Sequence, residues 1–272
     1  MDVNLLLEPL RIVGGIALGA LQVTGGVGML LRDAVRQVPR GLVSGRGKRL
    51  GWRNVWGQMV RVGVRAVPIV ALVVFVVGAI LALQMAPILR DFGALEQTAT
   101  IIGIAMFREL GPLVGAIVLT GYAGAAIAAE IGTMTVSEEI EAMETHAIDP
   151  VRFLVMPRVL ATTIMTVCLA VVADLMGVLG GALVSKFVLG LDLSLYYHVT
   201  RESVTLLDFL TGLVKAAVFG SIISGLACHL GLTVRGGAMG VGRNTTRTVV
   251  MTIVALIFVD LLFTTVFYAI GV

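Results

Sequence analysis

Charge is scarce in this sequence: Asp, Glu, Lys and Arg make up 14% of its 272 residues, against about 25% in a typical soluble domain. That shortage excludes an ordinary water-soluble fold. A hydrophobic share of 58% and a mean hydropathy of +1.01 point instead to an integral membrane protein. Cysteine is almost missing. Cys168 and Cys228 stand alone inside apolar runs, so neither a metal knuckle nor a redox pair is indicated, and both are expected to pack. His146, His198 and His229 fall on separate segments, which leaves no histidine-centred metal or catalytic set. No G-x-x-x-x-G-K-[ST] occurs. The nearest fragment, Gly45-Arg46-Gly47-Lys48-Arg49, lacks both the spacing and the hydroxyl that hold phosphate and magnesium, so the chain is not expected to hydrolyse ATP by itself or to carry a cofactor. No internal repeat relates the first spans to the last, which weakens an inverted-repeat carrier. The formal charge of +3 is no argument for a nucleic-acid partner, because the basic residues cluster where they would flank lipid.

What is present is a series of apolar segments of about 20 residues, the length that crosses roughly 30 Å of hydrocarbon as an α-helix and not as barrel strands. Five spans are expected, over residues 68–89, 100–129, 157–185, 209–234 and 248–272. Residues 12–31 carry no charge but hold six glycines, at 14, 15, 19, 25, 26 and 28. An interfacial or partly inserted helix is the preferred reading there, with a full span left open. The stretch 32–65 is strongly basic, with Trp52 and Trp56 as interface anchors. The chain thus divides into an amino-terminal interfacial region, 1–65, and a transmembrane domain, 66–272. Placing the amino end inside puts fifteen basic residues on inner flanks and five elsewhere, the bias expected of a cytoplasmic side. The Gly-rich segment 236–242 does not follow a strand, and a flexible cytoplasmic turn explains it.

Between the second and third spans runs an acidic segment, about 130–147, carrying Glu130, Glu138, Glu139, Glu141 and Glu144. Thr135 with Glu138 three residues on fits a capping box. Val136, Ile140 and Met143 then share one helical face, and Asp149-Pro150 ends the helix. Such a helix is a solvated connector or a docking surface; its length favours docking.

Ionisable residues within the spans ask for partners, since each costs roughly 2.5–3.5 kcal/mol near the bilayer centre. Counting about 1.5 Å per residue brings Lys215 and Asp260 to similar depths, so a contact between them is expected. Arg108 and Glu109 come to the outer mouth, where Arg108 could pair with Asp174 or meet an anionic head group. A purely structural ion pair is the alternative. Gly121, Gly124, Gly132, Gly177, Gly180 and Gly181 are expected to let helices approach closely.

The segments FRELGPLVGAIVLTGYAGAAIAAEIGTMTVSEEIEAMETHAIDPVRFLVMPRVLA and GVGRNTTRTVV, with Asp260 in FVDLLFT, resemble the MlaE (YrbE) family of permeases from MCE-associated ABC transporters. The resemblance covers about residues 55–272. It implies an all-α integral membrane protein of five transmembrane helices with amino-terminal interfacial helices and a cytoplasmic coupling helix, in the inner membrane. It further implies a homodimer, two ABC ATPase subunits that bind the ATP and Mg, a ring of MCE-domain lipid-binding proteins, and a small STAS-type cytoplasmic subunit. The cargo would be phospholipid or another hydrophobic lipid moving between inner membrane and outer envelope. By the same resemblance, Glu130, Thr135, Val136, Glu138, Glu139, Ile140 and Met143 belong to the ATPase-coupling segment. Arg108 and Glu109 match a charged pair near an outward lipid pocket, with Leu83, Ile88, Leu89 and Phe92 as its apolar wall. Two rivals stay open: an ion-coupled carrier that titrates Glu109, Asp174 and Asp260, and a non-transporting envelope scaffold.

Overall fold

The computed structural model describes residues 3–39 and 48–271; Arg40, Arg46 and Val272 lie outside the described residues. The described chain is helical, with no strand among its residues. Five helical stretches are long and apolar enough to cross a membrane: Gly51–Asp91, Gln97–Val136, Val151–Phe187, Leu206–Leu232 and Gly237–Ile270. The second spans 40 residues, about 60 Å at 1.5 Å per residue. It is twice as long as the hydrocarbon is thick, so it extends past the apolar layer while its last turns stay packed on the fourth and fifth spans.

Ahead of the spans, α1 (Val3–Val38) is one continuous helix of 36 residues. Val27 and Leu31 pack on Gly225 of the fourth span, and Gln37 Nε2 donates to Asp149 Oδ2 at 2.8 Å. A second helix, α2 (Lys48–Val62), joins α3 (Val67–Asp91) through a short 3-10 turn at Val64–Ala66. Its Val55 lies on Ala161, and Gly63 lets the junction sit against Met165.

The centre of the molecule is α8 (Met156–Phe187), with α3 along one side and α10 (Leu206–Leu232) along the other. α3 buries Val70, Val74, Gly78, Ala82 and Ala86, a strict four-residue ridge. A ridge of small residues fits the groove of a neighbour at close range. α8 answers with glycine: a Cβ on Gly78 would overlap the Gly177 carbonyl, and one on Gly180 would overlap the Phe75 carbonyl. Gly121, by contrast, has open space around it. Gly180→Ala should therefore cost about 1–3 kcal/mol in detergent unfolding, whereas Gly121→Ala should stay within about 0.5 kcal/mol of the parent. Equal effects at both positions would contradict this seam.

The second span consists of α4 (Gln97–Ala105), α5 (Gly111–Leu119) and α6 (Ala125–Val136), joined by π turns at Met106–Leu110 and Thr120–Gly124. The first π turn precedes Pro112. Proline has no N–H and its ring crowds the carbonyl four residues back, so a widened turn there relieves the clash. A third π turn, Val151–Val155, stands likewise before Pro157 at the start of α8.

Two expectations are overturned here. The segment 236–242 is not a flexible loop: α11 runs from Gly237 to Ile270, and only a tight turn joins it to α10. Gly236 and Gly237 supply the left-handed backbone, at φ +91° and +67°, and Asn244 Nδ2 donates to the Leu230 carbonyl at 3.0 Å. Nor does Thr135 form a capping box with Glu138. Its hydroxyl reaches the carbonyls of Ile131 (2.9 Å) and Gly231 (3.1 Å), and α6 continues through it to Val136.

Candidate functional site

The Met106–Leu110 π turn presents consecutive residues to different neighbours. Phe107 packs edge-on against Phe209, with ring centroids 5.9 Å apart. Arg108 turns to the start of α10, where Nε donates to Asp208 Oδ1 at 2.9 Å and Nη2 to the same oxygen at 2.5 Å. Asp208 is held in place by a capping box: its Oδ2 accepts from the Thr205 N–H (2.9 Å) and hydroxyl (2.8 Å), and its own N–H donates back to Thr205 Oγ1. Glu109 faces the other way, into the fourth and fifth spans.

There Lys215, fully buried, places Nζ 2.6 Å from Glu109 Oε2, 3.0 Å from Asp260 Oδ1 and 3.0 Å from Thr264 Oγ1. Of the three donors of this ammonium, one goes to the Thr264 hydroxyl, while Glu109 and Asp260 stand at ion-pair distance. The expected Lys215–Asp260 contact is thus present, and Glu109, which sequence depth had not linked to it, completes the cluster. Thr264 Oγ1 stands 2.8 Å from Glu109 Oε1 and 3.0 Å from the Asp260 carbonyl. A small cleft of about 100 Å³ opens here, lined by Arg108, Glu109, Thr211, Thr264, Phe267 and Tyr268.

Arg108 does not meet Asp174. The π turn adds a residue to its helical turn, rotating the downstream residues by roughly 100° relative to an ideal helix, and the guanidinium faces α10 instead. Asp174 is buried over Gly111, and its Oδ1 has no hydrogen-bond partner. The expected apolar wall is also elsewhere. Leu83, Ile88 and Phe92 are exposed and Leu89 is half-buried near the end of α3, away from its buried ridge, and none of them lines the Arg108 cleft within this single chain.

A larger apolar cavity, about 830 Å³, lies on the other side of the same π turn. It is an open groove walled by Phe107, Leu175 and Leu179, both leucines half exposed, and flanked by Tyr196, Tyr197 and Arg201 of α9 (Leu193–Ser203). Sequence reasoning passed over it. The available signal was the i, i+3, i+4, i+7 run of Leu175, Val178, Leu179 and Ala182 facing an amphipathic stretch. Burial pushes the Tyr196 phenol above its usual range.

At the opposite end, α7 (Glu139–Thr145) is a seven-residue acidic helix with no buried residue. Two non-glycine residues in left-handed backbone bracket it, Glu138 at φ 60° and Ala147 at φ 57°. Ile140 and Met143 turn partly toward the bundle, while Glu138, Glu139, Glu141 and Glu144 are exposed. Val136 belongs to α6 and is exposed, so it does not share their face. Glu130 is not part of this helix either. It sits inside α6 and pairs with Arg61 (2.8 Å) and Arg158 (3.2 Å), whereas the family resemblance groups it with the coupling residues.

Comparison with known proteins adds kinship to this geometry. The family model described as permease MlaE matches residues 55–266. A probable ABC transporter permease protein of Rickettsia typhi is 40% identical over 76% of this chain and 80% of its own length. A probable ABC transporter permease protein of Synechocystis is 34% identical over 76% and 79%. The intermembrane phospholipid transport system permease protein MlaE of Haemophilus influenzae is 32% identical over 79% and 82%. With its five apolar spans, this chain belongs to the MlaE permease family, membrane subunits of ABC transporters.

Proposed function

We propose that this chain moves phospholipid or another hydrophobic lipid between the inner membrane and the outer envelope, driven by a separate ATPase. The observation that carries the reading is the Met106–Leu110 π turn, which sets the Arg108–Glu109 cleft beside an apolar cavity of about 830 Å³. Lipid suits that pairing. Its tails gain roughly 0.8 kcal/mol per CH₂ on leaving water, and Arg108, partly exposed beside Asp208, has further N–H groups for a phosphate.

The cleft itself is small for a lipid. In this proposal a second copy of the chain supplies the opposite wall, and the exposed Leu83, Ile88 and Phe92 with half-buried Leu89 line the chamber between copies. Two ATPase subunits bind ATP and Mg and grip α7 from the cytoplasm, a ring of MCE-domain lipid-binding proteins sits above, and a small STAS-type subunit attaches below. Kinship to ABC permeases favours this arrangement over an ion-coupled carrier. The test is lipid transfer by the assembled complex in proteoliposomes. Arg108→Gln should slow it about tenfold, the size expected for losing one charge-assisted contact. Transfer by the isolated chain without ATP, or an unchanged rate in the variant, would overturn the reading.

A further inference from the structure

Some 24 Å along α8 from Asp174, at 1.5 Å per residue, the bundle holds a second polar cavity that the transport reading does not use. It measures about 340 Å³ and lies between α2, the start of α8 and the last turns of α6. Its charged lining is three guanidinium groups, Arg53, Arg61 and Arg158, against one carboxylate, Glu130.

Arg158 is the informative member. Its side chain is 5% exposed, its Nη1 donates to the Leu154 carbonyl at 2.9 Å and its Nη2 reaches Glu130, yet Nε has no partner. A buried, unpartnered cationic donor is costly unless something accepts from it. Gln58 Oε1, on the same cavity, is also buried without a partner. The location selects the source of the anion. Arg53, Gly57 and Arg61 follow one another at four-residue spacing along α2, and the neighbouring Trp52 and Trp56 are 48% and 63% exposed. Exposed tryptophans anchor a helix at headgroup depth, so the mouth of the cavity faces lipid phosphate.

We infer that this cavity binds the phosphate of an anionic lipid headgroup from the cytoplasmic leaflet, through Arg53, Arg61 and the Arg158 guanidinium that lines its floor. Because Glu130 shares two of these arginines, an occupied site competes for the bonds that hold α6, the helix leading into α7. The site stands apart from the transport proposal, since its occupancy is read on the full chain alone with no ATPase or transfer.

The experiment titrates the purified full-length chain with short-chain phosphatidylglycerol, with short-chain phosphatidylcholine and with inorganic phosphate, following retained ligand by native mass spectrometry. Phosphatidylglycerol should bind about tenfold more tightly than phosphatidylcholine. Arg53→Gln and Arg61→Gln, both on an exposed helix face, should each weaken it about tenfold, while Arg36→Gln on α1, outside the cavity, leaves it unchanged. An equal loss from Arg36→Gln would mean diffuse attraction to basic surface and overturn the site. Binding of inorganic phosphate as tight as that of the lipid would make it a free-anion site and overturn the lipid assignment.

Discussion

Lys215→Met is expected to cost about 3–5 kcal/mol of stability, because it leaves Glu109 and Asp260 facing each other in a buried site without their shared cation. The asymmetry of the cluster sharpens the test. With both carboxylates ionised the group sums to one negative charge, so removing the lysine deepens the imbalance. Asp260→Asn abolishes that imbalance and leaves a neutral Lys215–Glu109 pair at 2.6 Å. Asp260→Asn should therefore be clearly milder than Lys215→Met, and adding Glu109→Gln and Asp260→Asn to Lys215→Met should recover most of the loss. Unfolding in a detergent titration reads all of these variants. If Asp260→Asn proved as damaging as Lys215→Met, charge balance would not govern the cluster.

Reversing the charge on α7 should have the largest functional effect. The double variant Glu138→Lys, Glu139→Lys is expected to bring ATPase activity of the complex down about tenfold or more, to the level of the ATPase without its membrane partner. The chain itself should keep its stability to within about 0.5 kcal/mol, because both side chains are exposed and α7 buries nothing. Glu138→Gly separates charge from backbone. Glycine adopts the φ of 60° found at this position without the roughly 1–2 kcal/mol penalty of a side chain. That variant should be slightly more stable and should retain coupling through Glu139. Unaltered binding of the ATPase by the double lysine variant in a pull-down would remove α7 as the docking element.

Depth counting brought Lys215 to Asp260 and also brought Asp174 within a turn of Arg108, over Gly111, but it missed the direction in which Arg108 points, and the reason is local. α10 and α11 are uninterrupted helices across Lys215 and Asp260, so 1.5 Å per residue holds. The second span contains two π turns, and each resets both rise and direction. Proline at 112 was a visible warning of the first. The capping signals behaved in the same way. Thr135-x-x-Glu138 looked right locally and lost to a carbonyl of α10, whereas Thr205-x-x-Asp208 forms the box that the structure contains. Of the six glycines singled out in the sequence, Gly132, Gly177, Gly180 and Gly181 sit at close approaches, Gly124 meets Ile223 only at ordinary contact distance, and Gly121 faces open space.

The amino-acid sequence alone determined that this is a helical membrane protein with five apolar spans and an acidic helix between the second and third, because burying apolar side chains and satisfying backbone groups in lipid leaves few alternatives. Which charges meet was decided only in three dimensions. A span that is apolar on every side carries no stripe to say which face turns inward. Its rotation is set by glycine contacts and π turns, so only the folded bundle places Glu109 on Lys215, Arg108 on Asp208 and Glu130 between Arg61 and Arg158.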